Sequence, residues 1–250
     1  MWTGAQVKQH IEAARRLGLV KDAVARYIGT HPRTSELEVQ GVVLNLFRRH
    51  GLKMDAHAPI VAFQKHTSNV HYFVDKRKNA RLRKDTLILL DIWARLNKSR
   101  APYADMTWMF YYGDDVPQKF DRLFGYVLSA RNRVITSIRR SIKRGDYPAG
   151  AYLDLIARDY LRQKDVGLYF SHHLGHALGT RSPHGTYGGL QRNTKTTILK
   201  QLGYTIEPGI YFKNKYGFRS EIDFYINRSN EMIITTPLQR QIELISSRNT

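Results

Sequence analysis

The chain has 250 residues and no cysteine, which excludes disulfides, thiolate metal sites and cysteine nucleophiles. Hydrophobic residues make up 42%, and no run approaches the roughly 18 consecutive apolar residues of a membrane span, so a globular protein with a buried core and no membrane contact is expected. Forty Lys and Arg against 21 Asp and Glu leave a net charge of +19, a field that attracts nucleic acid, anionic lipid or acidic peptides. The opening residues, MWTGAQVKQHIEAARR, lack the apolar stretch of a secretory leader, and a cytoplasmic location is the expectation.

Two helices are expected first. Val7, Ile11, Ala14, Leu17, Val20, Val24 and Ile28 recur at spacings of three or four and share one helical face. His31-Pro32 breaks the pattern. Ser35 to Glu38 is a capping-box pattern that opens a helix carrying Val39, Val42, Val43, Leu46 and Phe47, with Gly51 as its terminating residue. Strands follow at Ile60–Phe63, Val70–Phe73, Thr86–Leu90 and Thr107–Tyr112. Helices are then expected over Pro117–Arg144 and Ala149–Arg162, divided by a Gly-Asp-Tyr-Pro turn. The last third returns to strands at Tyr204–Ile206, Gly209–Phe212, Ile222–Ile226 and Met232–Thr235. Helix–helix–strands thus occurs twice, which hints at two similar halves within one α+β domain over residues 1–250. The basic runs at Lys76–Lys78, Arg81–Lys84 and Arg139–Arg144 read first as solvated surface, with a nucleic-acid or other polyanion contact as the alternative. Aromatic residues are not interleaved with them as in single-strand binders.

Several acids stand where apolar residues surround them. Asp91 ends the apolar run Leu87–Leu90, where a carboxylate must be paired or bind a cation. Asp105 precedes another strand-like run, Glu207 lies within Tyr204–Tyr211, and Glu221 lies within Gly217–Phe224. Each alone reads as a strand cap or salt-bridge partner. Together with the cluster His172, His173 and His176 they suggest a metal or proton-transfer site. The glycines around the histidines argue for a strand or tight loop, although a helix would put His172 and His176 on one face.

The pieces Leu89-Leu90-Asp91, Tyr103-Ala104-Asp105, Leu174-Gly175-His176, Glu207-Pro208-Gly209-Ile210-Tyr211 and Arg219-Ser220-Glu221, in this order, resemble the pita-bread metallopeptidases, which include methionine aminopeptidases, Xaa-Pro aminopeptidases, prolidase and creatinase. The resemblance implies a pita-bread fold, a pseudo-twofold antiparallel sheet covered by helices. It also implies two divalent cations, Mn²⁺ or Co²⁺ foremost with Zn²⁺ or Fe²⁺ as alternatives, held by Asp91, Asp105, His176, Glu207 and Glu221. Four carboxylates and one imidazole are a donor set that suits such ions. In the family's manner, a water between the cations would attack the peptide bond with Glu207 moving the proton. The Asn69-Val70-His71-Tyr72 segment resembles that of the Xaa-Pro branch, where the histidine lines the substrate pocket. His184 resembles a second histidine that contacts the peptide and the developing oxyanion, and Arg219 is the candidate for orienting a carboxylate, on the substrate or on the metal site. His172 is a candidate for steering His176.

The expectation is therefore an N-terminal exopeptidase of Xaa-Pro aminopeptidase type. A methionine aminopeptidase and a non-catalytic relative that binds nucleic acid or protein are the alternatives, and a homodimer is left open. Three departures from the family stand out. The two aspartates are 14 residues apart, with Lys98-Ser99-Arg100 as the apparent insertion, Ile92-Trp93 stands where a glycine is usual, and His184 is followed by Gly185 where the family carries glutamate.

Overall fold

The computed structural model describes residues 1–55 and 57–246. The first apolar stripe folds as α1, Gly4–Thr30, opened by a Thr3–Gln6 capping box. The second folds as α2, Glu36–Arg49, opened by the Ser35–Glu38 box, with acids in its first turn and arginines in its last to complement the helix dipole. Gly51 follows with φ of +60°, the left-handed conformation that ends a helix without a Cβ penalty.

Four strands come next: β1 Leu52–Lys53, β2 Ile60–Phe63, β3 Thr86–Leu96 and β4 Tyr103–Gly113. Then follow α3 Gln118–Lys143 and α4 Gly150–Arg162, and the strands β5 Gly203–Ile206, β6 Gly209–Phe212, β7 Tyr216–Arg219, β8 Ile222–Ile226, β9 Met232–Ile234 and β10 Glu243–Ser246. In the main sheet the order is β1-β3-β4-β10, with β2 also on β3, and smaller sheets are β5-β8-β9 and β6-β7. All pairings are antiparallel except that β10 runs parallel to β4, so the expected antiparallel sheet carries one parallel strand at its edge. No helix among the described residues is long and apolar enough to cross a membrane.

Two of the strand expectations need correction. Asp91 does not end a strand: β3 continues five residues beyond it to Leu96, and Asp105 likewise lies inside β4. Val70–Phe73 forms no strand. It follows a 3-10 helix at Gln64–Ser68, and the buried carboxylate of Glu36 holds the whole segment. Glu36 accepts from the Phe63 amide (2.6 Å), His66 Nδ1 (2.9 Å), the Tyr72 hydroxyl (2.7 Å) and the Ala80 amide (2.7 Å). Four donors satisfy this fully buried carboxylate, and through the Tyr72 hydroxyl it anchors the segment from its side chain.

The period-two alternation of β3 and β4 sets the layers. Ile88, Leu90, Ile92 and Ala94, with Ala104, Met106, Trp108 and Phe110, pack against Leu17, Val24, Val39 and Phe47 of α1 and α2. Leu87, Leu89 and Trp93, with Tyr103, Met109 and Tyr111, pack toward α3, α4 and the later strands. Asp91, Asp105 and Thr107 share the parity of this second set and so point between the two halves of the molecule. A strand buried on both faces reads as a continuous apolar run, so Asp91 looked like its end.

Candidate metal centre

Asp91 stands opposite Thr107 across the β3–β4 ladder, and Asp105, two residues before Thr107, stands opposite Trp93. Their side chains therefore leave one face of the sheet as diagonal neighbours. The second half supplies its acids from the ends of another antiparallel pair. Ile206 of β5 is in register with Ile222 of β8, so Glu207, just after β5, and Glu221, just before β8, emerge at the same end.

His176 lies on neither helix nor strand. Its segment runs beside β5 as an irregular rung: the His176 amide donates to Thr205 Oγ1 (3.0 Å), the Thr205 amide to the His176 carbonyl (2.9 Å), and the Leu178 amide to Gly203 (2.8 Å). Gly175 makes this close approach feasible, because a Cβ there would run into the Thr205 carbonyl. Replacing Gly175 with alanine is expected to cost about 1–3 kcal/mol of stability and to weaken Mn²⁺ binding about 10- to 100-fold by displacing His176. Calorimetric titration and a melting curve check both; unchanged metal affinity would show that the rung does not position the imidazole.

Asp105, His176 and Glu221 each offer a ligand atom, and these atoms lie within 4.8 Å of one another. His176 Nε2 is 3.8 Å from Asp105 Oδ2 and 3.5 Å from Glu207 Oε1. Its Nδ1 sits 3.1 Å from the Ala177 carbonyl, so with the proton there Nε2 presents its lone pair to the acids. His172 does not steer this ring. It lies in a loop with Nδ1 at the His173 carbonyl (2.8 Å) and Nε2 at the Tyr211 hydroxyl (2.9 Å).

Asp91 is held apart from the three by Arg219, whose Nη2 pairs with Oδ2 while its Nε donates to Thr107 Oγ1 (3.0 Å). Thr107 passes the chain on to Glu221 Oε2 (2.7 Å). Arg219 is buried and also reaches the Val70 carbonyl (3.4 Å), so its guanidinium faces a site carboxylate and not an open substrate pocket. Thr205 Oγ1 donates to Glu207 Oε1 (3.0 Å). Thr107, Thr205, Tyr211 and Asp223 escaped sequence reasoning. A signal existed for three of them: each lies two residues from an expected ligand on an extended segment, and so on the same face.

Burial and mutual repulsion govern the charges. Asp105 and Glu221 are held far above the usual carboxylate range, first by burial and then by the neighbouring carboxylates. Glu207 is pushed up to about 7 by burial, with the Arg219 charge opposing. Burial likewise raises Asp91, against the Arg219 charge. His176 is pushed down to about 3 by burial and by the His184 charge. Asp223 accepts the Asp105 amide on Oδ2 (2.8 Å), while its buried Oδ1 has no partner among the described residues. Crowded buried acids, a neutral imidazole aimed at them and an orphaned carboxylate oxygen form a site that costs free energy without positive charge. Hard divalent cations fit this oxygen- and imidazole-rich donor set.

The two remaining candidate histidines flank this centre. The His184 ring lies 4.0 Å from that of His176, centroid to centroid, and burial lowers its affinity for a proton. His71 is exposed and follows Val70, whose carbonyl accepts from Arg219 Nη1 (3.4 Å).

Fold and site together define an acidic centre with a divalent-cation donor set between two halves of the molecule. The model of metallopeptidase family M24 matches residues 8–228, and the chain belongs to that family. It is 28% identical over 201 residues to an uncharacterized peptidase of Staphylococcus haemolyticus, covering 80% of this chain and 53% of the relative. It is also 28% identical over 201 residues to YkvY of Bacillus subtilis, a protein named as a putative dipeptidase, covering 80% and 51%. The chain thus spans about half the length of these curated relatives. Among solved structures it superimposes on dipeptidase PepE from Mycobacterium ulcerans with a TM-score of 0.85 at 19% identity, covering 98% of this chain and 61% of that one. The X-Pro aminopeptidase from Thermotoga maritima gives 0.85 at 22% identity, covering 97% and 64%. The fold is the pita-bread α+β fold of these structures.

Proposed function

We propose that the chain is a dinuclear-metal-dependent exopeptidase that hydrolyses the N-terminal peptide bond of peptides, in the manner of an Xaa-Pro aminopeptidase. The observation that carries this reading is the convergence of buried Asp105 and Glu221 with partly buried His176, with Glu207 at 3.5 Å from His176 and Asp91, paired to Arg219, on the same sheet face as Asp105. Asp91, Asp105, His176, Glu207 and Glu221 would hold the cations, Mn²⁺ or Co²⁺ in first place. When bound, such a pair supplies Lewis acidity toward the scissile carbonyl and acidifies water.

The chain's own residues do the rest. Glu207, poised near neutrality, takes a proton from the attacking water and returns it to the leaving amine nitrogen. His184, whose ring lies tilted against that of His176, donates from its ring to the oxygen that becomes negative. Arg219 fixes the orientation of Asp91 and, through Thr107, that of Glu221. His71 lines the substrate side. The Xaa-Pro preference is supported by His71-Tyr72 and by the overlap with structures named X-Pro aminopeptidase and Xaa-Pro dipeptidase.

Hydrolysis of Xaa-Pro-Xaa, Xaa-Pro and Met-Ala-Xaa peptides with Mn²⁺ or Co²⁺, against a chelated control, tests the proposal. Metal-dependent release of the first residue from the Xaa-Pro peptides is expected. Release from Met-Ala-Xaa alone would move the specificity to methionine aminopeptidation, and no cleavage with metal bound would refute the enzyme.

A further inference from the structure

The turn between β3 and β4 closes one wall of a surface cavity of about 580 Å³, lined by Lys53, Asp55, Arg95, Lys98, Arg100 and Arg181 among others. Five cations face one carboxylate. Asp55 is already engaged by Arg95 Nε (2.6 Å), Lys53 Nζ (3.1 Å) and the Tyr103 hydroxyl (2.8 Å). Among the described residues Lys98, Arg100 and Arg181 have no acidic partner. The turn that carries two of them is held in place. Arg95 Nη1 donates to the Lys98 carbonyl (3.0 Å), the Ala101 amide to the same carbonyl (3.3 Å), and Gln6 Nε2 to the Arg100 carbonyl (3.1 Å). Like charges gathered on a fixed backbone repel one another until an anion joins them, and little ordering remains to be done when it arrives.

The cavity is lined from two segments that also carry the acidic centre, β3 and the stretch between His176 and His184. Arg95 lies on the same face of β3 as Asp91, four residues on, or about 13 Å along the strand. Arg181 sits at the bend between His176 and His184, where the Gly179 amide meets the Pro183 carbonyl (3.0 Å) and the Gly179 carbonyl accepts from the Tyr103 amide (2.9 Å). An extended peptide advances about 3.3–3.6 Å per residue, so a chain cleaved at the centre would bring its third or fourth following residue onto these cations.

We infer that this cavity is a subsite for a carboxylate on the downstream part of the substrate, either an acidic side chain or the free C-terminus, about three to four residues beyond the cleaved bond. The inference rests on the peptidase reading above. Part of the +19 charge would then serve to draw acidic peptides to the centre.

The test uses matched pentapeptides, neutral or with Glu at the last two positions, each as free acid and as amide, on the wild-type chain and on a Lys98→Ala/Arg100→Ala/Arg181→Ala variant. All three side chains are exposed, so folding is not at stake. The wild type is expected to show a KM roughly three- to tenfold lower for the acidic peptide with kcat unaltered, and the preference should vanish in the variant and shrink in high salt. A preference that follows the free acid and not Glu assigns the C-terminus; one that survives amidation assigns the side chain. Equal KM for all four peptides in the wild type, or a preference that persists in the variant, overturns the inference. Should no peptide be cleaved, binding of a fluorescent acidic pentapeptide is measured by anisotropy. Binding lost in the variant supports the subsite without the peptidase, and equal binding to both chains removes it.

Discussion

Replacing Glu207 with alanine is expected to lower turnover of an Xaa-Pro peptide by about 10²- to 10⁴-fold while part of the bound metal is retained. Glu207 is partly buried, its side chain 14% exposed, and is held to about 7, so at neutral pH it can both accept and return a proton. His176, Asp105 and Glu221 still bring their donors together without it. Steady-state kinetics beside metal analysis of the purified variant check the two halves of this statement, and normal hydrolysis would show that another group moves the proton. The residue should also leave a pH signature in the metal-free protein. Its carboxyl is raised from 4.5 when exposed to about 7 when folded, so its contribution to stability is fully present below about pH 4.5 and is lost as pH rises through 7. Glu207→Gln, which cannot ionise, should therefore melt with the wild type at pH 4 and several degrees above it at pH 8, a gain on the order of 2–3 kcal/mol.

Replacing Arg219 with leucine is expected to cost about 3–5 kcal/mol, a fall in melting temperature of roughly 10 °C. Burial works against the guanidinium charge, but Asp91, Tyr211, Glu221 and Glu207 around it more than offset that and keep it protonated. Removing it takes away the charge that opposes burial at Asp91, so the carboxylate is either held ionised at a cost or takes up a proton, and Thr107 loses its donor. The double variant Arg219→Leu/Asp91→Asn should recover most of the loss, because the buried charge then has no need of a partner. Chemical denaturation of both variants and the wild type measures the coupling. A single variant within about 1 kcal/mol of the wild type would mean the pair is worth no more than a surface ion pair.

Much of the secondary structure was legible in the order of residues, for local reasons. Helical periodicity and the Ser35–Glu38 capping box specify α1 and α2 to within a few residues, and the ranges Gly209–Phe212 and Ile222–Ile226 agree with β6 and β8. These signals need only neighbours three or four positions away. The acids of the centre were visible because each interrupts an apolar run, and the ordered motifs around them carried the family resemblance that the M24 match supports.

Other features depended on distant partners. Asp91 looked like the end of a strand because the run Leu87–Leu90 stops there; β3 passes through it because Arg219, 128 positions away, neutralises it from another sheet. Val70–Phe73 is extended in composition, yet Glu36 of α2 takes up the donors around it and no ladder forms. The parallel pairing of β10 with β4 and the short strands β1 and β7 carry no periodicity long enough to read. Lys98-Ser99-Arg100 read only as an insertion between the two aspartates, and its meeting with Arg181 follows from the β3–β4 turn and the His176–His184 bend lining one cavity. Residue order thus disclosed which groups the centre had to draw on. Which carboxylate meets which cation, and where an unpaired positive cavity opens, was decided by long-range packing, because Coulomb and hydrogen-bond partners are chosen by distance in space and not along the chain.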